Sequence, residues 1–292
     1  MDSATETFLA HRNLLFTVAY ELLGSATDAE DVLQETWLRW TTVELDTVRD
    51  RRAYLVRMTT RQALSRLRAL RRRKETYVGT WLPEPLLTAP DVADDVELAE
   101  SVSMAMLLIL ETLTPTERAV FVLREVFDLD YDEIAEAVDK TPAAVRQVAH
   151  RARSHVTARR PRGVASPADT GRALEAFRRA VETGDLQGLL DQLAPDVVLL
   201  GDGGGIRQAA AHPVVGADNV ARLLGHGLRR LGGAAQVELA QINGGPALIF
   251  RLDGELDGIV AMRLDDGLIT GLYAVRNPEK LSRVERATAV SR

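Results

Sequence analysis

The stretch LTPTERAVFVLREVFDLDYDEIAEAVDKTPAAVRQVAHRARSHV, residues 113–156, decides how the first half of the chain is read. Thr114, Pro115 and Glu117 are a helix start signal: threonine and glutamate three apart can satisfy each other's backbone N–H groups, and proline fits the first turn. A second helix is expected over 131–138, and Thr141 with Pro142 starts a third. At about 100° per residue, Val145, Val148, Ala149, Ala152 and Val156 of the third fall on one stripe. Arg146, Gln147, His150, Arg151 and Ser154 fall on the other. One stripe packs and the other reads, because arginine and glutamine forks match guanine and adenine edges in a major groove. The pattern is a helix-turn-helix whose third helix is the reader.

The chain around it has 292 residues, 46% of them hydrophobic, enough for more than one packed domain. It contains no cysteine, which excludes disulfides and thiolate metal sites. No cofactor and no metal are expected, and a reducing compartment, the cytoplasm, is the expected location. No run approaches eighteen apolar residues, and MDSATETFLAHRN lacks a signal-peptide pattern, so no membrane partner is expected.

A formal net charge of -6 looks wrong for a nucleic-acid binder, so the distribution has to decide. Residues 51–74 hold Arg51, Arg52, Arg57, Arg61, Arg66, Arg68, Arg71, Arg72, Arg73 and Lys74 without one acid. Residues 140–160 are likewise basic and free of acid, and acidic runs at 91–100 and 125–139 lie outside both. A charge run can be nothing more than a solvated face. Two clean basic faces argue for phosphate contact instead.

Three helices are expected before the linker. The first carries Leu15, Val18, Ala19 and Leu22 and stops at Gly24; the second starts with Thr27 as cap. Its sequence DAEDVLQETW (28–37) sets Asp31, Gln34, Glu35 and Leu38 on one outward face. The third, over about 52–73, buries Leu55, Thr59, Ala63, Leu67 and Leu70 and presents Arg57, Arg61, Arg68 and Arg72. Residues 76–100, with Pro83, Pro85 and Pro90, read as a linker, although Trp81, Leu82, Leu86 and Leu87 are apolar enough to dock. A second break is expected at 161–168. From 169 the pattern turns to helices and then β-branched runs, DVVLL, AQVELAQI, PALIFRL, GIVAMRL and LITGLYAV, as in an α+β domain with a curved, mostly antiparallel sheet. That domain is expected to end near 285, leaving 286–292 as a tail.

Together, the DAEDVLQETW helix, the basic helix and the helix-turn-helix resemble an extracytoplasmic-function sigma factor of the sigma-70 family over about residues 5–158. The resemblance implies two all-α domains: region 2 over 1–75 and the region 4 helix-turn-helix over 101–160. It implies core RNA polymerase and promoter DNA as partners. Asp28, Asp31, Gln34, Glu35 and Leu38 would then contact polymerase. Arg57, Arg61, Gln62, Ser65 and Arg68 would engage the proximal promoter element, although many members carry asparagine where this chain has Gln62. Lys140, Thr141, Arg146, Gln147, His150 and Arg151 would read the distal element.

Residues 169–285, with GDLQGLLDQLAPDVVLLGDGGG and HPVVGADNVARLL, resemble the SnoaL-like branch of the NTF2-like fold. With WLPEP at 81–85, DGGG at 202–205 and NPEK at 277–280, the whole is similar to the SigJ-type group of sigma factors. In that group the appended domain regulates the sigma part of the same chain. The residues this implies for an intramolecular contact are Trp81, Leu82, Pro83, Asp202, Gly203, Gly204, Gly205, Asn277, Pro278 and Lys280. An unidentified small ligand in a C-terminal cavity stays open as a further partner.

Two other classes compete. NTF2-like enzymes use a cavity aspartate beside a histidine or tyrosine, for which Asp202, His212, His226, Asp253 and Tyr273 are the candidates, but no spacing among them demands catalysis. A helix-turn-helix repressor with a sensory C-terminus would bind a duplex operator alone, and in it the DAEDVLQETW helix has no task. The chain is therefore read as a non-enzymatic initiation subunit, its free form binding DNA poorly.

Overall fold

The computed structural model describes residues 3–89, 92, 95–160, 167–231 and 235–292; the side chains of 73, 167–169, 228–231 and 235 are left aside. Residues 161–166 of the break expected at 161–168, Pro90 and part of the acidic run after it lie outside the described residues, and 167–168 already belong to the next helix.

Three helices form the first unit: α1 (Ser3–Leu23), α2 (Ala26–Trp40) and α3 (Arg51–Glu75). Helix α1 stops at Gly24, whose φ of 66° lets its N–H reach back to the Tyr20 carbonyl at 2.7 Å. The cap of α2 is Ser25 rather than Thr27: Ser25 Oγ accepts from the Asp28 N–H, and the Thr27 N–H is already bonded to Glu84 Oε2 at 3.0 Å. Asp50 caps α3, accepting from the Ala53 N–H at 2.9 Å. All five residues expected on the buried stripe of α3, Leu55, Thr59, Ala63, Leu67 and Leu70, are buried.

The second unit comprises α4 (Val96–Val102), α5 (Met104–Glu111), α6 (Pro115–Phe121) with a wider turn over Val122–Val126, α7 (Tyr131–Val138) and α8 (Pro142–Thr157). The Thr114–Glu117 capping box and the Thr141 cap are both formed. Helix α4 begins inside the stretch 76–100 that reads as linker, because Asp95 accepts from the Leu98 N–H and starts a helix there. One continuous apolar core joins both units, running from Phe16 and Leu23 through Leu55 and Leu86 to Val120, Ile134 and Val148.

The C-terminal unit has α9 (Pro167–Thr183), α10 (Leu186–Gln192), β1 (Leu193–Asp202), β2 (Val214–Val215), α11 (Ala217–Leu231), β3 (Ala235–Ile242), β4 (Gly245–Leu252), β5 (Glu255–Asp265) and β6 (Leu268–Val275). The six strands run in the order β2-β1-β6-β5-β4-β3, antiparallel except for β1 against β6. This is the α+β fold expected after two all-α domains. Alternate residues face opposite sides. Val197, Leu199, Leu248, Val260, Met262 and Leu272 pack with Phe177, Leu189 and Val220 of the domain's own helices. Ala247, Ile249, Ile259, Ala261, Tyr273 and Val275 pack instead with Leu82 of the linker and Met104 of α5.

The linker also joins the sheet. Thr88 N–H bonds the Gln241 carbonyl at 3.0 Å and Asn243 N–H bonds the Leu86 carbonyl at 2.8 Å, which pairs Leu87 with Ile242 at the end of β3. On its other side Leu87 bonds Arg283 and Thr288 of the chain's last segment. The stretch 286–292 is therefore no free tail: Val290 is buried in the helical core, Ser291 N–H bonds Thr17 Oγ1 and Arg292 pairs with Asp95 and Glu97.

Candidate nucleic-acid interface and its clasp

Helix α8 buries Val145, Val148, Ala149, Ala152 and Val156 against the second unit. Lys140, Thr141, Arg146, Gln147, His150 and Arg151 are all exposed, with Thr141 Oγ1 committed to the Ala144 N–H. The Arg146 guanidinium lies 5.8 Å from the Tyr131 ring, and Arg151 is 3.7 Å from Glu117. Neither contact closes the face.

The basic face of α3 is partly covered. Arg57 pairs with Glu136 of α7 and lies 4.9 Å over the Tyr54 ring, while Arg61 donates to the Glu136 carbonyl at 2.6 Å. Ser65 and Arg68 are exposed, and Gln62 sits half-buried against the Arg39 guanidinium. Two of the arginines best placed to track phosphates are thus bonded to the helix-turn-helix.

On α2, Gln34, Glu35 and Leu38 project into solvent, Leu38 with 60% of its surface exposed. Asp31 stands beside them, bonded to Arg66 at 2.5 Å. Asp28 does not share this face. It is buried, lies 2.7 Å from Ser25 Oγ, whose one proton it shares with Glu84, and pairs with Arg66 at 2.7 Å, so its carboxylate is used in closing the first turn.

The three motifs outside the helical units converge on one buried carboxylate. Asp202, with no exposed surface, accepts from Lys280 Nζ at 2.7 Å, the Leu82 N–H at 2.8 Å and the Tyr77 hydroxyl at 2.6 Å. Lys280 also donates to the Leu82 carbonyl at 2.6 Å, and Asn277 Nδ2 to the Tyr77 hydroxyl at 2.8 Å. The Trp81 ring meets two ammonium groups, Lys74 at 3.3 Å and Lys280 at 4.3 Å from its centroid. Burial lowers the pKa of both lysines, that of Lys74 to about 8, against the raising effects of Glu111 and Asp202. Burial and the Asp202 contact raise the Tyr77 phenol. The glycines have steric reasons: a Cβ on Gly203 would lie 1.9 Å from the Arg207 carbonyl oxygen, and one on Gly204 2.4 Å from Asn277 Nδ2. Gly205 is exposed beside Val78, Pro83 is buried, and Pro278 starts the short turn that aims Lys280.

From this clasp the linker runs to the start of α2. Glu84 accepts from Ser25 Oγ at 2.8 Å and the Thr27 N–H at 3.0 Å, a carboxylate at the N-terminus of α2 where the helix dipole favours it. Its carbonyl accepts from the Tyr20 hydroxyl, which in turn accepts from Asn243 Nδ2 at 2.6 Å. Asn243 also donates to the Val102 carbonyl. Nearby, Glu21 of α1 is fully buried, and burial pushes its carboxyl up to about 8 against the hydrogen bond from Ser101 and the charge of Arg118. Arg118, 2% exposed, donates to the Glu21 carbonyl and to Glu111, and Lys74 pairs with Glu111 at 2.6 Å. Burial pushes the Glu111 carboxyl up, but the two cations outweigh it and hold it below its usual range.

Residues 7–73 match the family model described as Sigma-70 region 2, and residues 103–156 match that described as Sigma-70, region 4. A curated relative, the ECF RNA polymerase sigma factor SigJ of Mycobacterium tuberculosis, is 37% identical over 94% of this chain and 92% of its own length. The chain is an ECF sigma factor. A probable ECF RNA polymerase sigma factor, SigI of the same organism, is 32% identical over 96% of this chain and 95% of its own. The crystal structure of the M. tuberculosis extracytoplasmic function sigma factor SigJ superposes with a TM-score of 0.77 at 34% identity, covering 96% of this chain and 98% of that one.

In this sigma factor the helix-turn-helix and the basic helix belong to regions 4 and 2, and the relatives are initiation subunits rather than enzymes. The five residues weighed for catalysis are dispersed: Asp202 is in the clasp, His212 and Asp253 are exposed, Tyr273 faces the linker side of the sheet and His226 lines a cavity on the other. Among the described residues no cluster is placed to hold a metal ion, and no helix is long and apolar enough to cross a membrane. Sequence reasoning missed Tyr20, Tyr77, Glu84, Arg118 and Asn243. Glu84 was within reach of it, being an acid flanked by Pro83 and Pro85 in an apolar stretch, where a buried charge needs a stated partner.

Proposed function

We propose that this sigma factor is restrained by its own C-terminal domain, which holds regions 2 and 4 together until polymerase separates them. The observation that carries the reading is the engagement of Arg57 and Arg61 by Glu136, with the linker between the two regions buried in the clasp. Promoter elements more than a helical turn apart are separated by about 34 Å or more along the duplex. Regions packed against each other, α3 on α7, are adjacent instead. Asp31, Gln34, Glu35 and Leu38 form the polymerase-facing patch; Ser65 and Arg68, joined by Arg57, Arg61 and Gln62 on release, engage the melted proximal element. Arg146, Gln147, His150 and Arg151 read the distal element, with Lys140 and the helix start at Thr141 beside the phosphates. The protein acts in the cytoplasm and needs no cofactor.

The test uses purified polymerase. Asp31→Ala with Glu35→Ala abolishes association with core enzyme, whereas a repressor of the same fold keeps its operator binding. Trp81→Ala, which removes the ring that meets Lys74 and Lys280, changes transcription from a cognate promoter relative to the parent chain. Equal polymerase binding in the first case, or equal transcription in the second, overturns the corresponding half of the reading.

A further inference from the structure

The C-terminal domain carries a half-open cavity of about 600 Å³ that neither the promoter-reading faces nor the clasp uses. Its wall is apolar, with Phe177, Val181, Leu199, Leu224, Phe250 and Val260. Of the charged lining residues, Asp257 and Arg276 neutralise each other in a two-pronged pair at 2.9 and 3.1 Å, while Arg207, like His226, is exposed to solvent at the edge of the lining. A free anion entering beside that pair would meet the Asp257 carboxylate, and a cation would meet the guanidinium. A neutral apolar molecule meets neither penalty and gains the burial. Pockets of this volume enclose drug-sized ligands.

The cavity shares its wall with the clasp. The end of β1 and the loop after it, 201–210, turn Gly201 and the segment from Ile206 to Ala210 towards the cavity, and Asp202 and Gly204 towards the linker and Asn277. The turn is closed by the Ile206 and Arg207 N–H groups on the Gly203 carbonyl, at 3.0 and 2.9 Å. Arg276 bridges the two sides: its side chain holds Asp257 and the Gln208 carbonyl, while its backbone N–H bonds the Asp202 carbonyl at 2.7 Å, one residue before Asn277.

We propose that this cavity binds an uncharged, largely apolar small molecule and that its occupancy stabilises the clasped form. The cavity is formed while Asp202 holds Leu82, and its wall and the clasp share the segment 201–210, so release of the clasp loosens that wall and a ligand that needs it closed favours the clasped form by mass action. The coupling deepens the self-restraint proposed above. Its test involves no polymerase, so its failure is distinguishable from a failure of that reading.

The probe is N-phenyl-1-naphthylamine, a neutral fluorophore, compared with 8-anilinonaphthalene-1-sulfonate, which has the same apolar body plus a negative charge. The full chain should bind the neutral probe more tightly. Two independent fillings of the cavity, Ala274→Phe and Val181→Phe, should each remove that binding while the unliganded chain keeps its far-ultraviolet circular dichroism. With the neutral probe at ten times its Kd, hydrogen exchange of the Leu82 and Thr88 amides should slow by about tenfold. Preference for the sulfonate, or undiminished binding in both folded filled variants, overturns the site. Binding with unchanged or faster exchange overturns the coupling.

Discussion

Asp202 and Lys280 form an ion pair at 2.7 Å in which neither group has appreciable solvent, and both also bond the backbone of one linker residue, Leu82. Removing one member of such a pair leaves a buried charge, at a cost of about 3–5 kcal/mol. Lys280→Met should lower the denaturation midpoint of the full chain accordingly, and Asp202→Asn in the same chain should restore part of the loss. A double-mutant cycle measures this. Additive losses from the two substitutions would show that the charges do not interact.

Glu84 places its carboxylate on the first turn of α2. Glu84→Gln keeps the shape and loses the charge, so the chain should be destabilised by about 1 kcal/mol. Hydrogen exchange at the Thr27 amide should quicken. Unchanged exchange there would mean that the amide is protected by something other than Glu84.

Glu21 predicts a pH dependence. Its folded pKa, about 8, stands above its ordinary value of 4.5, so the folded chain holds a proton that the unfolded chain releases between these values. Stability from this group is complete below the unfolded pKa and is lost as pH rises through about 8. The melting temperature should fall between about pH 5 and pH 8, and Glu21→Gln should flatten that slope. A slope of equal size in both proteins would assign it to other groups.

Glu136 holds Arg57 and Arg61. Glu136→Ala removes the carboxylate on Arg57 and leaves the backbone carbonyl that holds Arg61, so the free sigma factor should bind single-stranded DNA more tightly through Arg57, with the salt dependence steepening by about 0.7 in logarithmic slope for that one phosphate contact. Fluorescence anisotropy over a salt series reads this. Adding Arg57→Ala should cancel the gain, and a gain that persists without that arginine would place the contact elsewhere.

The helical half was legible because its signals are local. Val145 and Val156 lie on one stripe because the backbone repeats every 3.6 residues, and Thr114 meets Glu117 within one turn. The strands were equally readable from runs such as ALIF and GIVAM. Those runs also carried a signal that the α+β reading left unused: four or five consecutive residues without a polar one imply a sheet buried on both faces, and the second cover is Leu82 and Met104. Thr27 was mistaken for the cap because its rival for that place is decided by Glu84, 57 positions away. Asp28 was grouped with the polymerase contacts although it is buried, since its pairing with Arg66, 38 positions away, is tertiary. That Asp202 would meet Tyr77, and Asn243 meet Tyr20, depends on two domains docking, which no local pattern encodes.

The linker strand at Leu86, Leu87 and Thr88 is bonded on one side to β3 and on the other to the last segment of the chain. A force that draws regions 2 and 4 apart pulls along this strand, so its bonds are loaded in shear and resist together instead of unzipping one by one. Extraction of the linker therefore has the character of a single rupture with a threshold, and a sigma factor built this way passes abruptly from restrained to extended under load.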